Sequence, residues 1–180
     1  MESTDPLRLR EFQKEDLDPF HRNRNDPEAV RLAAFVGKVA VEWAEFEAHW
    51  ERNLAAPGNQ HRTVVLGDRV VGYVGVFLQD GESDVTFWFE RACWGRGVAT
   101  SALQRFLGIV DRRPIRARVA AENVGSLRVL AKCGFRITGT GRGFAVGRGE
   151  MTEEFRLVLD GGPSSDQARP QTDQMQGKAV

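Results

Sequence analysis

The chain has 180 residues, with 25 Lys and Arg against 25 Asp and Glu, three His and two Cys. This length suits one domain with a sizeable core, and the balanced charge argues against a general nucleic-acid-binding surface. The apolar runs are of strand length, too short to cross a membrane, and the N-terminal residues show no secretion signal. Because the cysteines and histidines are few and scattered, we expect reduced thiols, no metal site and a cytoplasmic location.

The hydrophobic pattern predicts strands that arrive first as a meander and later alternate with helices. Such an order is typical of an α+β fold with a mixed sheet. The predicted strands cover residues 7–10, 62–66, 70–78, 85–89, 114–120, 135–139 and 154–159. The predicted helices cover residues 13–20, 27–35, 41–54, 98–110 and 123–132, and Gly134 ends the last of them. In the helix at 41–54, apolar side chains recur on one face at Trp43, Phe46, Trp50 and Leu54.

Two glycines one residue apart, Gly95 and Gly97, lie between the strand at 85–89 and the helix at 98–110. Glycine permits close backbone approaches, and the first N–H groups of a helix have no intrahelical partner and carry partial positive charge. The segment 94–100 therefore predicts a phosphate or pyrophosphate site, to which Arg96 adds a full charge. A tight turn that holds no ligand is the alternative.

A second segment, from Asn123 to Phe135, carries a further motif. Together, Trp-Gly-x-Gly-x-Ala and Asn-x-x-Ser-x-x-x-Leu-x-Lys-Cys-Gly-Phe resemble the GCN5-related N-acetyltransferases, and more narrowly their RimJ/RimL-like branch. The resemblance spans residues 7–160 and rests on the co-occurrence of the two motifs. Trp94 stands where the broader superfamily usually has Gln or Arg, and we interpret it as a marker of that branch.

The resemblance implies a mixed, mostly antiparallel central sheet that splays at the third meander strand and has helices on both faces. It implies acetyl-CoA as co-substrate, with the thioester carbonyl polarised by a backbone N–H of the third meander strand. It further implies that the pyrophosphate lies on the amides of residues 95–100, and that Asn123 caps its helix, reaches the cofactor, or does both. The predicted cofactor-binding residues are Phe87, Trp88, Phe89, Trp94, Gly95, Arg96, Gly97, Val98, Ala99, Thr100 and Asn123.

Two residues are candidates for catalysis. Ser126 lies one helical turn after Asn123, and the resemblance suggests that its hydroxyl protonates the departing thiolate; a serine that merely contacts the cofactor or solvent is the alternative. Many superfamily members use a Tyr for this step, but the only Tyr here, Tyr73, lies in the meander. Glu90 is the carboxylate nearest in sequence to the expected reaction centre and is the candidate base.

The assignment of a base has competitors, because Glu90 also fits a solvated turn. Glu122 and the pair Glu153-Glu154 are alternatives, and water can take the proton in their place. Cys133 has no base nearby in sequence, so we interpret it as a packed thiol and not as an acyl-carrying nucleophile.

These patterns predict an N-acetyltransferase that moves an acetyl group from acetyl-CoA to a primary amine, on a protein N-terminus or a small molecule, by direct transfer. A non-catalytic CoA-binding or structural domain of the same fold is the alternative, and a homodimer is an open question. We expect one domain over residues 1–160 and a disordered tail over 161–180. Acceptor choice is expected to lie in residues 16–60 and in the Gly- and Arg-rich loop at 139–152, which fits a lid, a patch for an acidic acceptor, or a solvated hairpin turn.

Overall fold

The computed structural model of the chain describes residues 6–161. The helices are α1 (Leu17–Arg24), α2 (Pro27–Ala33), α3 (Trp43–Ala55), α4 (Val98–Leu107) and α5 (Val124–Lys132). The strands are β1 (Leu7–Arg10), β2 (Gln60–Leu66), β3 (Arg69–Gln79), β4 (Glu82–Phe89), β5 (Ile115–Ala120), β6 (Arg136–Ala145) and β7 (Glu150–Leu159). The order of elements follows the sequence prediction.

All of these strands join one sheet in the order β1-β2-β3-β4-β5-β7-β6. Neighbouring strands are antiparallel except β4 and β5, which are parallel and meet at one residue pair, Asp84 and Arg116. Beyond that pair the two strands diverge. The predicted α+β fold, with a mostly antiparallel sheet that splays at the third meander strand, is confirmed.

The apolar side chains form two large clusters, with different helices packed on each. In the first, α4 and α5 cover strands from β2 to β7, with Leu103, Phe106 and Ile115 fully buried. In the second, α1 and α3 pack on β3 through a set of mostly aromatic side chains: Leu17, Phe20, Phe46, Trp50 and Tyr73. These two layers of helix fix the positions of the chain segments that border the splay.

Helix α3 departs in part from its predicted face. Phe46 and Trp50 are buried, but Trp43 is 42% exposed and Leu54 is 44% exposed. Both exposed residues lie at the ends of the helix, and only its middle turns contact the second cluster.

The segment predicted as a loop at 139–152 is wrong as stated, because most of it is strand. Strand β6 continues to Ala145 and β7 begins at Glu150, so only residues 146–149 form the turn. Glycine alternates along β6: an added Cβ at Gly141 would lie 2.7 Å from Glu154 Oε1, and one at Gly143 would lie 3.1 Å from Arg118 Nη2, whereas Gly139 has open space.

The tail predicted over 161–180 falls, apart from Gly161, outside the described residues. The single domain over 1–160 stays a prediction. No helix within residues 6–161 is long and apolar enough to cross a membrane.

Candidate functional site

A cavity of about 1060 Å³ opens where β4 and β5 separate. Its walls come from β4, β5, the N-terminus of α4, helices α3 and α5, and the segment at 34–42 that follows α2. This volume lies at the upper end of the range usual for ligand sites. Both sequence motifs border it.

The glycine motif leaves the start of α4 open. Gly95 and Gly97 have positive φ values of 71° and 77°, and a Cβ added to either would meet no atom within 4 Å. The first helical hydrogen bond runs from Ser101 N to Gly97 O at 3.0 Å. The N–H groups of residues 98–100 therefore have no intrahelical partner, and together with the helix dipole they favour an anion here.

Strand β4 presents free backbone groups to the opposite wall. Glu90 N donates to Val71 O at 2.9 Å, on the side of β3. Because hydrogen-bonding direction alternates along a strand, the N–H groups of Phe87 and Phe89 point the other way, into the splay. The Phe89 carbonyl on that side accepts a hydrogen bond from Trp94 Nε1 at 3.1 Å. Strand β4 thus offers hydrogen-bond donors at the point where β5 has moved away.

Asn123 uses both ends of its side-chain amide within the protein. Its Oδ1 accepts a hydrogen bond from Ser126 N at 3.1 Å, which caps α5, and its Nδ2 donates to the Leu32 carbonyl at 3.1 Å. Ser126 lines the cavity, and its hydroxyl has no hydrogen-bond partner among residues 6–161. Of the two polar side chains, Ser126 is the one free for a ligand.

The structure brings most of the predicted residues to one cavity. The residues that line it are Phe87, Trp88, Phe89, Trp94, Gly95, Gly97, Ala99, Thr100, Asn123 and Ser126. The side chain of Val98 is buried in the core, and that of Arg96 is exposed and donates to the Ala92 carbonyl at 3.4 Å. For these two residues, only the backbone remains a candidate for cofactor contact.

Glu90 does not line the cavity. Its carboxylate pairs with Arg69 Nη2 at 2.7 Å, at the turn between β2 and β3. The structure thus places the Glu90 carboxylate in an ion pair outside the cavity lining, and this geometry gives no support to Glu90 as the base.

Of the competing carboxylates, Glu153 is exposed and does not line the cavity, and the other two are held in ion pairs. Glu122 lines the cavity but binds Arg148 Nη1 at 2.7 Å. Glu154 is buried between Arg118 and Arg156. Neither side chain is free to take a proton from an amine.

The segment at 34–42 is fixed at its start by a buried turn. Ala34 is fully buried with a positive φ of 59°, a conformation that is costly for a residue other than glycine. Its carbonyl accepts a hydrogen bond from Gly147 N at 2.8 Å, in the turn between β6 and β7. The hairpin, for which a lid and an acceptor patch were two of the alternatives, contacts the segment at 34–42 through this bond, and none of residues 139–152 lines the cavity.

Sequence reasoning did not single out the charged residues at the other end of the cavity. We refer to this end as the acceptor wall; its residues are Arg24, Lys38, Glu45, His49 and Arg52. Burial, followed by the charges of Arg52 and Arg24, lowers the pKa of His49. These residues fall within the segment 16–60 that was expected to select the acceptor, but no local motif marks them.

The cysteines have the properties of packed thiols. Burial raises the pKa of Cys133 to about 11, and its Sγ contacts the Thr100 carbonyl at 3.8 Å. Within residues 6–161, no group of three or more His, Cys, Asp or Glu side chains is arranged to hold a metal ion.

Comparison with known proteins gives consistent matches. A family model for the acetyltransferase (GNAT) domain matches residues 6–136. The uncharacterized N-acetyltransferase p20 of Bacillus licheniformis is 24% identical over 166 residues, which cover 87% of this chain and 93% of the relative. The L-amino acid N-acetyltransferase AaaT of Escherichia coli K12 is 23% identical over 152 residues, or 77% of this chain and 94% of the relative.

Solved structures share the fold. Spermidine N-acetyltransferase from Vibrio cholerae, in complex with CoA and spermine, has a TM-score of 0.75 at 18% identity, covering 86% of this chain and 95% of the other. YncA from Salmonella typhimurium, with its cofactor acetyl-CoA, has a TM-score of 0.73 at 19% identity, covering 89% and 99%. The chain belongs to the acetyltransferase (GNAT) family, whose members are acyl-CoA-dependent N-acetyltransferases.

Proposed function

We propose that this protein transfers an acetyl group from acetyl-CoA directly to a primary amine, of a small molecule or a protein N-terminus. The observation that carries this proposal is the pair of free N–H groups on Phe87 and Phe89, which face a cavity whose other wall is the open N-terminus of α4. A thioester whose phosphates bind at α4 can extend along the splay toward β4. Its carbonyl then meets backbone donors.

Those donors supply the first element of the mechanism. Attack of the amine nitrogen on the thioester carbon places negative charge on the carbonyl oxygen. A backbone N–H that is already oriented stabilises this charge without the cost of reorganisation. Phe87 and Phe89 contribute only their backbone to this step, so their aromatic side chains are free to pack.

The breakdown of the tetrahedral intermediate breaks the C–S bond, and the thiolate requires a proton. Ser126 lines the same cavity with an uncommitted hydroxyl, and we assign it this role. The amine must lose protons before and after attack. Since Glu90, Glu122 and Glu154 are ion-paired and Glu153 does not line the cavity, water takes these protons in this mechanism.

The phosphates of CoA require positive charge along their path. The amides of residues 95–100 meet the pyrophosphate in this proposal, and the Thr100 hydroxyl lies in the same turn. Arg128 and Lys132 line the cavity from α5 and provide two further cations. Asn123 acts as the cap of α5 and as its link to α2.

The alternative, a CoA-binding or structural domain without catalysis, shares the fold but gives no use to the free donors on β4. Membership of the RimJ/RimL-like branch stays a proposal that rests on Trp94-Gly95 and the Asn123 motif. A cytoplasmic location likewise remains a prediction, and a homodimer remains an open question.

Two measurements test the proposed function. The melting temperature should rise with CoA or acetyl-CoA, because a ligand that binds only the folded state stabilises it. Incubation with acetyl-CoA and a panel of amines should then yield acetylated products detectable by mass spectrometry. A thermal shift without any product across the panel favours a CoA-binding domain without catalysis, and no thermal shift rejects acetyl-CoA-dependent transfer and favours a structural domain.

A further inference from the structure

Arg24, the last residue of α1, reaches the acceptor wall beside Trp88. The centre of its guanidinium group lies 5.4 Å from the centroid of the Trp88 ring, and its Nη2 donates to the Lys38 carbonyl at 2.7 Å. Its Nη1 is buried and has no hydrogen-bond partner among residues 6–161. One edge of the guanidinium is therefore fixed, while Nη1 has lost its contact with water and gains no hydrogen bond from the described residues.

The charge of Arg24 is also uncompensated. Desolvation lowers the pKa of Arg24, and within residues 6–161 only the Tyr73 hydroxyl acts in the opposite direction. A half-buried guanidinium without a carboxylate partner is unfavourable, since the charge has lost water and gained no counter-ion. Lining a cavity, such a group is suited to an anionic guest.

The rest of the acceptor wall also carries a net positive charge. Its one carboxylate, Glu45, is bound to Lys38 Nζ at 2.8 Å. Arg52 adds a second guanidinium, and His49 is held toward its neutral form by burial. This balance attracts an anion and repels a polycation.

The position of Trp88 relates this charge to the proposed chemistry. Trp88 lies on β4 between Phe87 and Phe89, whose N–H groups face the splay. A group bound to Arg24 against the Trp88 ring is thus held close to the proposed reaction centre.

We propose that Arg24 binds a carboxylate of the acceptor, so that the preferred substrate is a small amine carrying a nearby carboxylate, as in a free amino acid. This inference rests on the proposed acetyl transfer. The planar guanidinium edge matches a carboxylate, which accepts two parallel N–H donors. A neutral carboxamide cannot replace that ion pair, and a polyamine meets like charge.

The test measures how fast the wild-type protein acetylates a set of matched acceptors. Free L-amino acids, the same amino acids as α-carboxamides, spermidine, and short peptides with neutral N-terminal residues are each incubated with acetyl-CoA, and CoA release is followed. We expect kcat/KM for the acids to exceed that for the amides by roughly 10²-fold or more, because a polar site left unpaired discriminates strongly. Equal rates for acid and amide, preference for spermidine or peptide, or no acetylation of any acid would each overturn the proposal.

Variants then assign the effect to Arg24. Arg24→Gln should raise KM for the acids by roughly 10²-fold at nearly constant kcat and so reduce the acid-to-amide ratio of kcat/KM toward one, since binding common to ground and transition states has been removed. Arg22→Gln is the control, because Arg22 lies on the same helix but is exposed and pairs with Asp18. Unchanged selectivity in a folded Arg24→Gln protein would overturn the assignment.

A thermal shift with CoA distinguishes failure of the carboxylate preference from failure of the proposed acetyl transfer. If Arg24→Gln fails to fold, Arg24→Lys serves in its place: it keeps the charge and loses the planar fork, and is expected to recover only part of the acid preference. A wild-type protein that binds CoA and acetylates only other amines refutes the carboxylate preference and leaves acetyl transfer standing. A protein that does not bind CoA refutes the proposed function itself.

Discussion

Asn123 donates a hydrogen bond from Nδ2 to the carbonyl of Leu32 at 3.1 Å and so joins the start of α5 to the end of α2. The Leu32 carbonyl is available because the chain turns sharply after α2: Val36 N donates to Ala34 O at 3.0 Å instead of continuing the helix. The same asparagine caps α5 through Oδ1. The Asn123 side chain therefore couples α5 to the segment that leads to the acceptor wall.

This coupling gives different expectations for two substitutions of Asn123. Asn123→Ala removes the cap and leaves the Leu32 carbonyl unpaired, and should lower the free energy of unfolding by roughly 1–3 kcal/mol. Asn123→Ser retains a capping hydroxyl but is too short to reach Leu32. We expect Asn123→Ser to recover part of the stability that Asn123→Ala loses. Both variants should have a higher KM for the acceptor than the wild-type protein. Chemical denaturation and steady-state kinetics measure the two effects.

Two outcomes would contradict this coupling. Equal stability losses would show that the cap contributes little, and a normal acceptor KM in both would show that the Leu32 contact does not position the acceptor wall.

The glycine motif gives a second prediction. Gly97→Ala places a methyl group in the open space above the first amides of α4, where the proposed pyrophosphate lies. We expect CoA binding, measured by calorimetry, to weaken at least about tenfold, equivalent to ~1.4 kcal/mol. Strain from the positive φ lowers stability as well.

Gly81→Ala separates strain from ligand contact. Gly81 also has a positive φ, 81°, and open space around it, but it lies in the turn between β3 and β4. It should lose similar stability and bind CoA normally. Similar CoA affinity in the two variants would place the pyrophosphate elsewhere.

The order of elements could be predicted from the sequence because apolar periodicity is local. The hairpin of β6 and β7 was underestimated because glycines at alternate positions, among them Gly141 and Gly143, hide the strand pattern. Their role depends on Glu154 and Arg118, which approach only in the folded sheet. A period of two in glycine is nevertheless a usable strand signal when the intervening residues are Thr, Arg and Phe.

The candidate site likewise has one half that could be predicted from the sequence and one half that could not. Its cofactor half follows two short motifs, each formed by neighbours in sequence at a helix start, so the lining residues could be named in advance. The ion pair of Glu90 could not be predicted, because its partner, Arg69, comes from another strand of the hairpin. Arg24 could not be recognised at all, since its importance depends on Trp88 and Lys38, which only tertiary structure brings to it.

A pH dependence of stability follows from His61. Burial, and then the charge of His49, lowers the pKa of His61 from 6.5 to about 4. Between these two values the unfolded state binds more protons than the folded state, so stability is present above pH 6.5 and is lost as the pH falls toward 4. The contribution of this residue should not exceed ~3 kcal/mol.

Thermal unfolding between pH 7 and pH 4 checks this dependence. His61→Gln should flatten the decline, because glutamine does not titrate, although other groups will still contribute a slope. Identical slopes for the variant and the wild-type protein would show that His61 is not held neutral.

The last prediction concerns Ser126. If its hydroxyl protonates the departing thiolate, Ser126→Ala should lower kcat by about 10²–10⁴-fold with little change in KM for acetyl-CoA. A serine that only contacts the cofactor should instead raise KM at nearly constant kcat, because uniform binding has been removed. Ser101→Ala, on α4 and outside the cavity lining, is the control and should leave both constants unchanged. If Ser126→Ala keeps full turnover on its acceptor, water supplies the proton for the departing thiolate. Of the groups assigned to the chemical step, only the backbone of β4 then retains its role.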